Sequence, residues 1–439
     1  MRIGIIGLGH VGLPTAATLA SIGHDVAATD VDGEKIALLS DGRVPFYEPG
    51  LDELVTEGTA AGRLRFSQDP ADVVPGAEVV FICVGTPPTA GGEASLAAME
   101  SAGETIARHA TGSVVVVEKS TVPAGTAERL RAAIRRYRRD LEVLIVSNPE
   151  FLREGRAVED SLRPDRILVG ADAPEALATM RRVYEPLLEL GARWIETDLR
   201  TAELAKHASN AFLALKISYA NALARICELA GADVIDIAEV MGADPRIGPD
   251  FLRAGLGYGG FCFPKDLVAF ERLADRLGYR FPLLAEIARI NDEAIDAAFQ
   301  KVESVLWNLE GKRVTLLGLA FKPGTDDIRF APALTLARKL LDGGANVVGT
   351  DPQAGVPAKA EVPDLEVVED PYDALSGAHC AVVCTEWPEY RALDLARVRR
   401  TMAFPVMVDA RNVFEPMDMA AAGFTHLPTG RRPIEQAGT

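Results

Sequence analysis

The sequence predicts an α/β protein with two Rossmann-like parallel-sheet domains joined by a central all-helical domain with one long helix. Short apolar runs bounded by turn residues alternate with helical stretches towards both ends of the chain, as in parallel sheets covered on both faces. Residues 197–230 contain no Gly or Pro, which is typical of one long helix. The 439 residues exceed the about 150 expected of one domain. We expect domains at residues 1–195, 196–310 and 311–439.

The first domain has the element order of a nucleotide-binding sheet. Residues 2–6 form a buried strand, a Gly-rich turn at 7–12 leads into a helix that ends near Ser21, and a second strand covers residues 25–29. Later apolar runs predict further strands at residues 78–84, 113–117 and 142–147. Because strands alternate with helices, the sheet is expected to be mostly parallel.

The central and third domains follow from changes in this pattern. Further helices are predicted over residues 264–277 and 282–309. At Gly311 the pattern returns to strands, beginning with residues 312–318. Two later segments are similar to parts of the first domain: residues 346–351 to residues 24–30, and residues 381–385 to residues 81–86. This similarity predicts a second Rossmann-like domain, which lacks the glycine fingerprint and so is not expected to bind a second dinucleotide.

The composition argues against several classes of partner. A formal net charge of -17, from 46 basic and 63 acidic residues, repels the phosphates of nucleic acids and anionic lipids, so neither is expected to bind. There is no run of about 18 apolar residues that would span a membrane. The chain opens directly on a strand, so no signal peptide is expected. The five cysteines include no CxxC pair, which suits a reducing compartment. We therefore expect a cytoplasmic protein.

The turn after the first strand carries a dinucleotide fingerprint. Gly7 permits the tight turn, Gly9 lets backbone amides approach a pyrophosphate, and Gly12 allows the helix to pack closely on the strand. Asp30 follows about 20 residues later, where a carboxylate can hold both ribose hydroxyls and repels a 2′-phosphate. The sequence therefore predicts NAD as the cofactor, the alternative being an incidental glycine-rich turn.

The loop before Cys262 is the most informative segment for chemistry. Residues 255–260 include four glycines, which predict a bent or mobile backbone that can wrap a ligand. We expect Pro264 to be the first helical residue, so that Cys262 lies just before a helix N-terminus that favours its thiolate. Lys265 adds to this effect, and Asp266 is placed to position water or accept a proton. The remaining cysteines are expected to be inert core thiols, at positions 83, 227, 380 and 384.

Further polar residues accompany these motifs. Lys206 and Asn210 share one face of the long helix, where small and apolar neighbours would bury them, although a solvated face explains the lysine equally well. The segments 120–123 and 148–155 follow predicted strands, where α/β sites collect ligand groups, but they can also be read as purely structural. The six histidines show no metal-ligand spacing, so no metal site is proposed.

Together these segments resemble the UDP-glucose/GDP-mannose dehydrogenase family from residue 1 to about residue 415. Besides the glycine fingerprint and the cysteine loop, the resemblance includes residues 45–50, 84–87, 119–123, 148–155, 202–210, 246–248 and 321–329. It implies an NAD-binding domain at 1–195, a helical dimerisation domain at 196–310 and a UDP-sugar-binding domain at 311–439. It also implies a homodimer or larger homo-oligomer formed through the long helix.

The reaction implied by the resemblance is oxidation of the C6 alcohol of a nucleotide sugar, UDP-glucose to UDP-glucuronate, with two NAD per sugar. An aldehyde forms first, Cys262 adds to it as a thiohemiacetal, a second hydride transfer gives a thioester, and water releases the acid. Lys206 and Asn210 are implied to stabilise the oxyanion. Thr121 and Glu150 would organise water and protons. Asp266 is a candidate base for hydrolysis.

The resemblance also implies two sets of binding residues. The cofactor set is Gly7, Gly9, Val11, Gly12, Asp30, Lys35, Thr86, Thr121, Glu154 and Arg329. The substrate set is Glu150, Phe151, Leu152, Lys206, Asn210, Arg246, Phe251, Tyr258, Gly259, Lys322 and Arg411. Within it, Lys322 and Arg411 would bind the diphosphate, Phe251 and the glycine loop would cover the uridine and sugar, and Arg246 would approach the C6 carboxyl end.

Two departures from the family pattern concern the substrate. The family has Ser before the cysteine, where this chain has Phe261, and Glu-Ser where this chain has Phe330-Ala331. An aromatic side chain beside the nucleophile could reshape the sugar pocket, so GDP-mannose and a UDP-N-acetylhexosamine are alternative substrates. Two other classes of protein stay open. A single-step hydroxyacid dehydrogenase would leave Cys262 unexplained, and a non-catalytic NAD-binding sensor would not need it.

Overall fold

The computed structural model describes residues 1–434 and divides into two compact units. The N-terminal unit consists of Met1–Ser209 and Val268–Arg280, and the C-terminal unit consists of Asn210–Leu267 and Phe281–Thr439. Each unit contains one sheet and a share of the helices from the middle of the chain. The finer division into three domains at residues 195 and 310 stays a prediction.

An eight-stranded sheet forms the centre of the N-terminal unit. Its strands are β1 (Arg2–Ile6), β2 (Asp25–Thr29), β3 (Leu64–Phe66), β4 (Val79–Ile82), β5 (Val114–Glu118), β6 (Val143–Ser147), β7 (Arg166–Ala171) and β8 (Arg193–Thr197). They pair in the order β3-β2-β1-β4-β5-β6-β7-β8, with β6 and β7 antiparallel and the other neighbours parallel. The helices of this part of the chain are α1 (Gly12–Ser21), α2 (Gly33–Ser40), α3 (Leu51–Ala60), α4 (Ala97–His109), α5 (Thr126–Tyr137), α6 (Ala157–Leu162) and α7 (Pro174–Glu189).

The strand order places the functional loops at one edge of this sheet. β5, with the sequence Val-Val-Val-Val-Glu, is buried along its whole length, as expected of a parallel strand covered on both faces. The chain crosses from one side of β1 to the other between β3 and β4, and ligands bind at such a switch point beyond the carboxyl ends of the strands. The backbone N–H of Gly7 donates to Thr29 and that of Cys83 donates to Ile6, both at 2.8 Å. These bonds hold together the first residues after β1 and β4.

Four helices occupy the middle of the chain. They are α8 (Leu199–Ala230), α9 (Val234–Gly242), α10 (Cys262–Arg276) and α11 (Pro282–Leu306). α8 has 32 residues, which confirms the predicted long helix. Its start is stabilised by Asp198, whose carboxylate accepts hydrogen bonds from the backbone N–H and the hydroxyl of Thr201, in the manner of a helix cap.

The start of α10 differs from the prediction. Pro264 was expected to be its first residue, but the helix begins at Cys262. The N–H groups of a first helical turn have no partner within the helix, so a proline in the third position removes no hydrogen bond. Cys262 therefore belongs to the first turn, at the positive end of the helix dipole.

A six-stranded parallel sheet forms the centre of the C-terminal unit. Its strands are β9 (Arg313–Leu317), β10 (Asn346–Thr350), β11 (Glu366–Val367), β12 (Cys380–Val383), β13 (Val406–Asp409) and β14 (Thr425–Pro428). They pair in the order β11-β10-β9-β12-β13-β14. The helices are α12 (Pro332–Asp342), α13 (Gly355–Glu361), α14 (Pro371–Leu375), α15 (Pro388–Arg391), α16 (Leu395–Thr401) and α17 (Pro416–Ala421). The neighbours of β9 reproduce those of β1, which confirms the second Rossmann-like sheet. Within residues 1–434, no helix is long and apolar enough to cross a bilayer.

Candidate active site

The glycine turn after β1 forms an open cradle. Gly7 has a φ of 97°, and a Cβ there would lie 2.6 Å from the carbonyl oxygen of Cys83. A Cβ on Gly12 would overlap the carbonyl oxygen of Gly7, so α1 packs this closely only because the side chain is missing. At Gly9, by contrast, a Cβ would have no atom within 4 Å. Val11 takes the N-cap position of α1, and the free space beside it fits a pyrophosphate at a helix N-terminus.

Asp30 is held beside this cradle as a carboxylate. Its Oδ2 accepts from the backbone N–H of Leu8 at 2.7 Å and from Lys35 Nζ at 3.0 Å, and its Oδ1 accepts from the N–H of Asp32 at 3.0 Å. Burial alone would raise the pKa of Asp30, but these hydrogen bonds outweigh it and the pKa falls below its usual value. An ionised carboxylate at the end of β2 suits the two hydroxyls of the NAD ribose.

The loops after β4 and β5 meet at the same edge of the sheet. The buried Thr86 donates its hydroxyl to the carbonyl oxygen of Thr121 at 2.9 Å, and Ser120 donates to the carbonyl oxygen of Val84 at 2.7 Å. The two threonines predicted to line the cofactor pocket are therefore direct neighbours. Their position at the carboxyl edge, with the glycine cradle, is the one used for ligands in such sheets.

A buried lysine supports the loop that follows β6. Lys119 donates to Asn148 Oδ1 at 3.2 Å and contacts the hydroxyl of Tyr184 at 3.5 Å, and that hydroxyl donates to Asn148 Oδ1 at 2.6 Å. Burial lowers the pKa of Lys119. No role was predicted for Lys119 or Tyr184, because a buried network of distant residues leaves no local pattern in the sequence.

Glu150 and Lys206 form a buried ion pair. Lys206 Nζ lies 2.8 Å from Glu150 Oε1, and the two side chains are 5% and 7% exposed. The second oxygen of Glu150 accepts from the N–H of Leu152 at 2.8 Å. Phe151 lies beside both, with its ring centre 5.5 Å from Lys206 Nζ and 3.9 Å from the guanidinium carbon of Arg166. Lys206 of the long helix is therefore buried, and the alternative that it lies on a solvated face of the helix is wrong.

The far end of this loop is fixed by Glu48. Its carboxylate accepts from the N–H groups of Gly155 and Ala157, both at 2.7 Å. Ala157 begins α6, so Glu48 caps that helix from a distant part of the chain. The half-buried Glu154 lies next to the anchored Gly155. The motif at residues 45–50 thus has a structural purpose that its local sequence did not reveal.

Cys262, in the C-terminal unit, differs from the four other cysteines in its exposure. It is partly exposed in the first turn of α10, whereas the others lie in the core. Burial raises the pKa of Cys83, Cys380 and Cys384 to about 12, so these thiols stay protonated at neutral pH. Of the five cysteines, Cys262 is the one that combines partial exposure with a position at the positive end of a helix dipole.

Asp266 connects two other predicted site residues of this unit. Asn210 Nδ2 donates to Asp266 Oδ2 at 2.6 Å, and Lys265 Nζ donates to Asp266 Oδ1 at 2.6 Å. All three are buried, and both bonds involve a charged acceptor, which strengthens them. Lys265 Nζ also lies 5.7 Å from the ring centre of Phe261. The cluster brings an amide of α8 together with an ammonium and a carboxylate near the start of α10, the helix that begins at Cys262.

The glycine loop is tightly packed within its own unit. Gly257 and Gly260 have φ angles of 99° and 78°. A Cβ on Gly259 would overlap the carbonyl oxygen of Phe330. The N–H of Gly260 donates to the carbonyl oxygen of Arg329 at 2.9 Å. The glycines are needed for this packing as much as for any ligand.

Arg329 is held in a defined position by its neighbours. Its guanidinium makes a bidentate pair with Asp327, with bonds of 2.9 and 2.6 Å. Its guanidinium carbon lies 4.7 Å above the ring centre of Phe261. The predicted cofactor-contacting arginine therefore stacks on the aromatic residue that departs from the family pattern.

Most of the remaining predicted substrate residues lie at or next to the glycine loop. Arg246 is the exception. Arg411 donates to the carbonyl oxygens of Cys384 at 2.7 Å and Gly257 at 3.2 Å. Lys322 lies over the ring of Phe321, which packs on Gly259. Tyr258 and Phe251 both contact Phe263, at 5.7 and 6.3 Å between ring centres. Arg246 instead pairs with Asp244, and its side chain is 87% exposed.

An open glycine cradle at the switch point of a parallel sheet, beside an ionised carboxylate, is the arrangement with which NAD-dependent dehydrogenases bind their cofactor. The chain belongs to the UDP-glucose/GDP-mannose dehydrogenase family. The NAD binding domain of that family matches residues 1–188, its central domain matches residues 200–293, and its UDP binding domain matches residues 315–416.

Named relatives match along nearly the whole chain. A UDP-glucose 6-dehydrogenase of Rhizobium meliloti (strain 1021) is 43% identical over 435 residues, which cover 98% of this chain and 100% of the relative. One from Pseudomonas aeruginosa is 42% identical, with 98% of each chain covered. The structure of a UDP-glucose dehydrogenase from Pyrobaculum islandicum superposes with a TM-score of 0.91 at 37% identity, covering 98% of both chains.

Proposed function

We propose that this protein oxidises UDP-glucose to UDP-glucuronate through intermediates bound covalently to Cys262. The observation that carries the proposal is the position of Cys262, which is partly exposed in the first turn of α10 beside the cluster of Lys265 and Asp266. The relatives named UDP-glucose 6-dehydrogenases support the choice of sugar. Overall, one alcohol, one water and two NAD+ would give one carboxylate, two NADH and three protons.

In the first oxidation the C6 hydroxyl gives its proton to water ordered by Glu150, and loss of a hydride from C6 leaves an aldehyde. Bound NAD supplies the hydride acceptor for both oxidations. Lys206, held by Glu150 at 2.8 Å, provides a positive charge for the developing oxyanion. Asn210 Nδ2 has one N–H beyond the one given to Asp266 and provides a second donor. Buried, preorganised donors of this kind stabilise charge without reorganisation.

The second oxidation uses the thiol. The Cys262 thiolate attacks the aldehyde carbon, a C–S bond forms, and the carbonyl electrons move to oxygen to give a thiohemiacetal. Loss of a second hydride from C6 leaves a thioester. Water, deprotonated with the help of Asp266, then attacks the carbonyl carbon, the C–S bond breaks, and the thiolate is restored. Glu150 and Thr121 are proposed to order water and relay protons.

The remaining assignments are proposals of the same kind. The NAD-binding, helical and UDP-sugar-binding roles would divide at residues 195 and 310. A homodimer or larger homo-oligomer through α8 is supported by large apolar side chains exposed on one of its faces, namely Phe212, Tyr219, Ile226 and Leu229. Light scattering would test this, and a monomer at micromolar concentration would contradict it. A cytoplasmic location is supported by the free thiols in the core and is checked by cell fractionation.

The test is the amount of NADH formed per mole of limiting UDP-glucose, in the intact protein and in Cys262→Ser. Two NADH per sugar are expected, with sustained turnover lost in Cys262→Ser. Cys227→Ala is the matched control, because Cys227 is buried among small residues such as Ala220 and Ala224, and it should retain turnover.

Other results would point elsewhere. One NADH per sugar, unaffected by the substitution, would mean that the covalent route is wrong and a single-step dehydrogenase is right. Two NADH from GDP-mannose or a UDP-N-acetylhexosamine, and none from UDP-glucose, would keep the chemistry and correct the substrate. NAD binding without oxidation of any of these sugars would favour the non-catalytic sensor.

A further inference from the structure

Besides Glu48, the N-terminal unit contains two buried carboxyl groups that the proposed reaction does not use. Glu118 is the last residue of β5 and is 1% exposed, and Glu203 on α8 is 2% exposed. Both carboxyl oxygens of Glu118 are fully buried, and no N–H or O–H group of residues 1–434 donates a hydrogen bond to them. An ionised carboxylate without donors in such a place is very unfavourable, so the protonation state of Glu118 needs an explanation.

Glu203 has the opposite surroundings. Its Oε2 accepts from the backbone N–H of Gly125 at 2.5 Å, and its Oε1 accepts from the N–H of Ala127 at 2.7 Å. These N–H groups belong to the start of α5, where Gly125 has no side chain to act as a cap. Glu203 therefore caps α5 from α8. Both of its oxygens act as acceptors, as in an ionised carboxylate.

The other charged groups nearby are already engaged or point away. Glu128 on α5 adds a third acidic group and pairs with Arg200 of α8 at 2.7 Å. His207 on α8 contacts the carbonyl oxygen of Val122 at 2.9 Å through its Nε2. Lys119 follows Glu118 in the chain but bonds Asn148 at 3.2 Å, on the opposite face of the sheet, since successive strand residues alternate.

These surroundings favour protonation of one of the two acids over the other. Burial first, and then the negative charges of Glu203 and Glu128, raise the pKa of Glu118 well above its usual range. Burial raises the pKa of Glu203 to about 7, although the N–H groups of Ala127 and Gly125 oppose the shift. The Glu203 carboxyl group lies within hydrogen-bonding reach of Glu118, and two carboxyl groups in contact cannot both be ionised cheaply. Glu203 is the one with donors for its anion, so the proton belongs on Glu118.

We propose that Glu118 is protonated at neutral pH, donates a hydrogen bond to the Glu203 carboxylate, and acts with it as a pair of positioning residues for Thr121 and Lys206. Thr121 lies in the segment between Glu118 and the N–H groups bound by Glu203, and Lys206 follows Glu203 by one helical turn. The bonds from Glu203 and His207 hold α8 against this segment at two points. The positioning role rests on the proposed function, whereas the location of the proton does not.

Two substitutions of equal size test which residue carries the proton. In Glu118→Gln, the amide N–H2 can replace the acid O–H as donor to Glu203, so kcat at neutral pH should stay within about twofold of the intact value. In Glu203→Gln, one oxygen acceptor becomes an N–H2 group facing the N–H groups of α5. The cap is then lost, and kcat should fall about tenfold, since small displacements of catalytic groups cost this much or more.

The proton itself is measured without catalysis. The infrared difference spectrum of intact protein minus Glu118→Gln at neutral pH should show the carbonyl band of a protonated buried carboxyl group. Because the pKa of Glu118 is raised in the folded protein, the folded protein holds more protons than the unfolded chain. The free energy of unfolding should therefore decline as pH rises above the unfolded pKa, and this decline should be weaker in Glu118→Gln.

Each outcome decides one part of the proposal. The absence of the carboxyl band from intact protein, in a titration from acid to neutral pH that needs no variant, would overturn the location of the proton. Equal loss of kcat in the two variants would contradict the assignment of donor and acceptor. Full activity in Glu203→Gln would remove the positioning role. Failure of the intact protein to oxidise any nucleotide sugar would contradict only the proposed function, because the infrared and unfolding results stand independently.

Discussion

The loops after β1 and β9, the first strands of the two sheets, have the same backbone conformation. They differ in the groups that surround their carboxylates. Gly7 after β1 and Gly318 after β9 have φ angles of 97° and 99°. The carboxylates that follow β2 and β10, Asp30 and Asp351, each accept from the N–H of the residue after that glycine, at 2.7 Å in both cases. The two halves of the chain thus repeat one local design.

The difference lies in the donors that surround each carboxylate. Asp351 accepts from five groups of its own unit: the N–H groups of Leu319, Ala320, Gln353 and Ala354 and the indole of Trp387. Asp30 accepts from three: the N–H groups of Leu8 and Asp32 and the ammonium of Lys35. The first loop also leaves open space at Gly9. Topology therefore places a possible site in both sheets, while the side chains decide where a dinucleotide fits.

The largest expected effect comes from adding a methyl group to the glycines of these loops. Gly12→Ala should lower the free energy of unfolding by about 3 kcal/mol, because the Cβ would overlap the carbonyl oxygen of Gly7 and force the backbone apart. Gly318→Ala should cost a similar amount, since its Cβ would overlap the Thr385 side chain. Denaturant unfolding monitored by circular dichroism measures both.

Gly9→Ala is the control for these two substitutions. Its Cβ meets no atom within 4 Å, so stability should be unchanged or raised by about 0.5 kcal/mol. NAD affinity should nevertheless fall at least tenfold, because the methyl group occupies the space proposed for the pyrophosphate. Unchanged NAD affinity in Gly9→Ala would mean that the cradle does not bind the cofactor as proposed.

Removing the two carboxylates should separate ligand binding from stability. Asp351→Ala leaves several buried donors without an acceptor and should cost about 3 kcal/mol of unfolding free energy, with no direct effect on NAD affinity. Asp30→Ala should cost less stability and weaken NAD binding about tenfold through loss of a charge-assisted hydrogen bond. Calorimetric titration and thermal unfolding of both variants make the comparison. A greater loss of NAD affinity in Asp351→Ala than in Asp30→Ala would reverse our assignment of the two sheets.

The smallest expected effect is the pH dependence of the stability that Asp30 contributes. Because the pKa of Asp30 is lowered in the fold, its carboxylate stabilises the folded state above the unfolded pKa, and this contribution is lost as pH falls through the folded pKa. The stability difference between the intact protein and Asp30→Asn should therefore shrink on acidification. Unfolding curves across the acid range measure it. A difference that grows towards low pH would contradict the ionised state of Asp30.

Local patterns were enough to predict much of the scaffold, but β3, β7, β8 and α9 were not predicted. The glycine spacing, the apolar strands and the absence of Gly and Pro from the long helix each act over a few residues, and the structure has a sheet or helix where each predicted it. The start of α10 was placed wrongly because Pro264 is favourable at more than one position of a first turn. The sequence alone could not choose between these positions.

The contacts that hold the site residues could not be predicted in the same way. Glu48 caps α6, Glu203 caps α5, and Lys119 joins Asn148 to Tyr184. Each contact links residues far apart in the chain, and an acidic residue on a helix or before a turn gives no sign of which N–H groups it will bind. Such partners depend on packing, which periodicity does not encode.

One consequence of α8 concerns insertions and deletions. In the C-terminal unit this helix bonds three different segments, through Asn210 to Asp266, Asn221 to Gly255 and Glu228 to Lys301. A single inserted residue rotates everything beyond it by about 100° and advances it by about 1.5 Å. An insertion between Asn210 and Asn221 would therefore keep the contact of Asn210 only by breaking those of Asn221 and Glu228. Changes of length in homologous chains should accordingly be confined to the turns, and α8 should behave as a segment of fixed residue count.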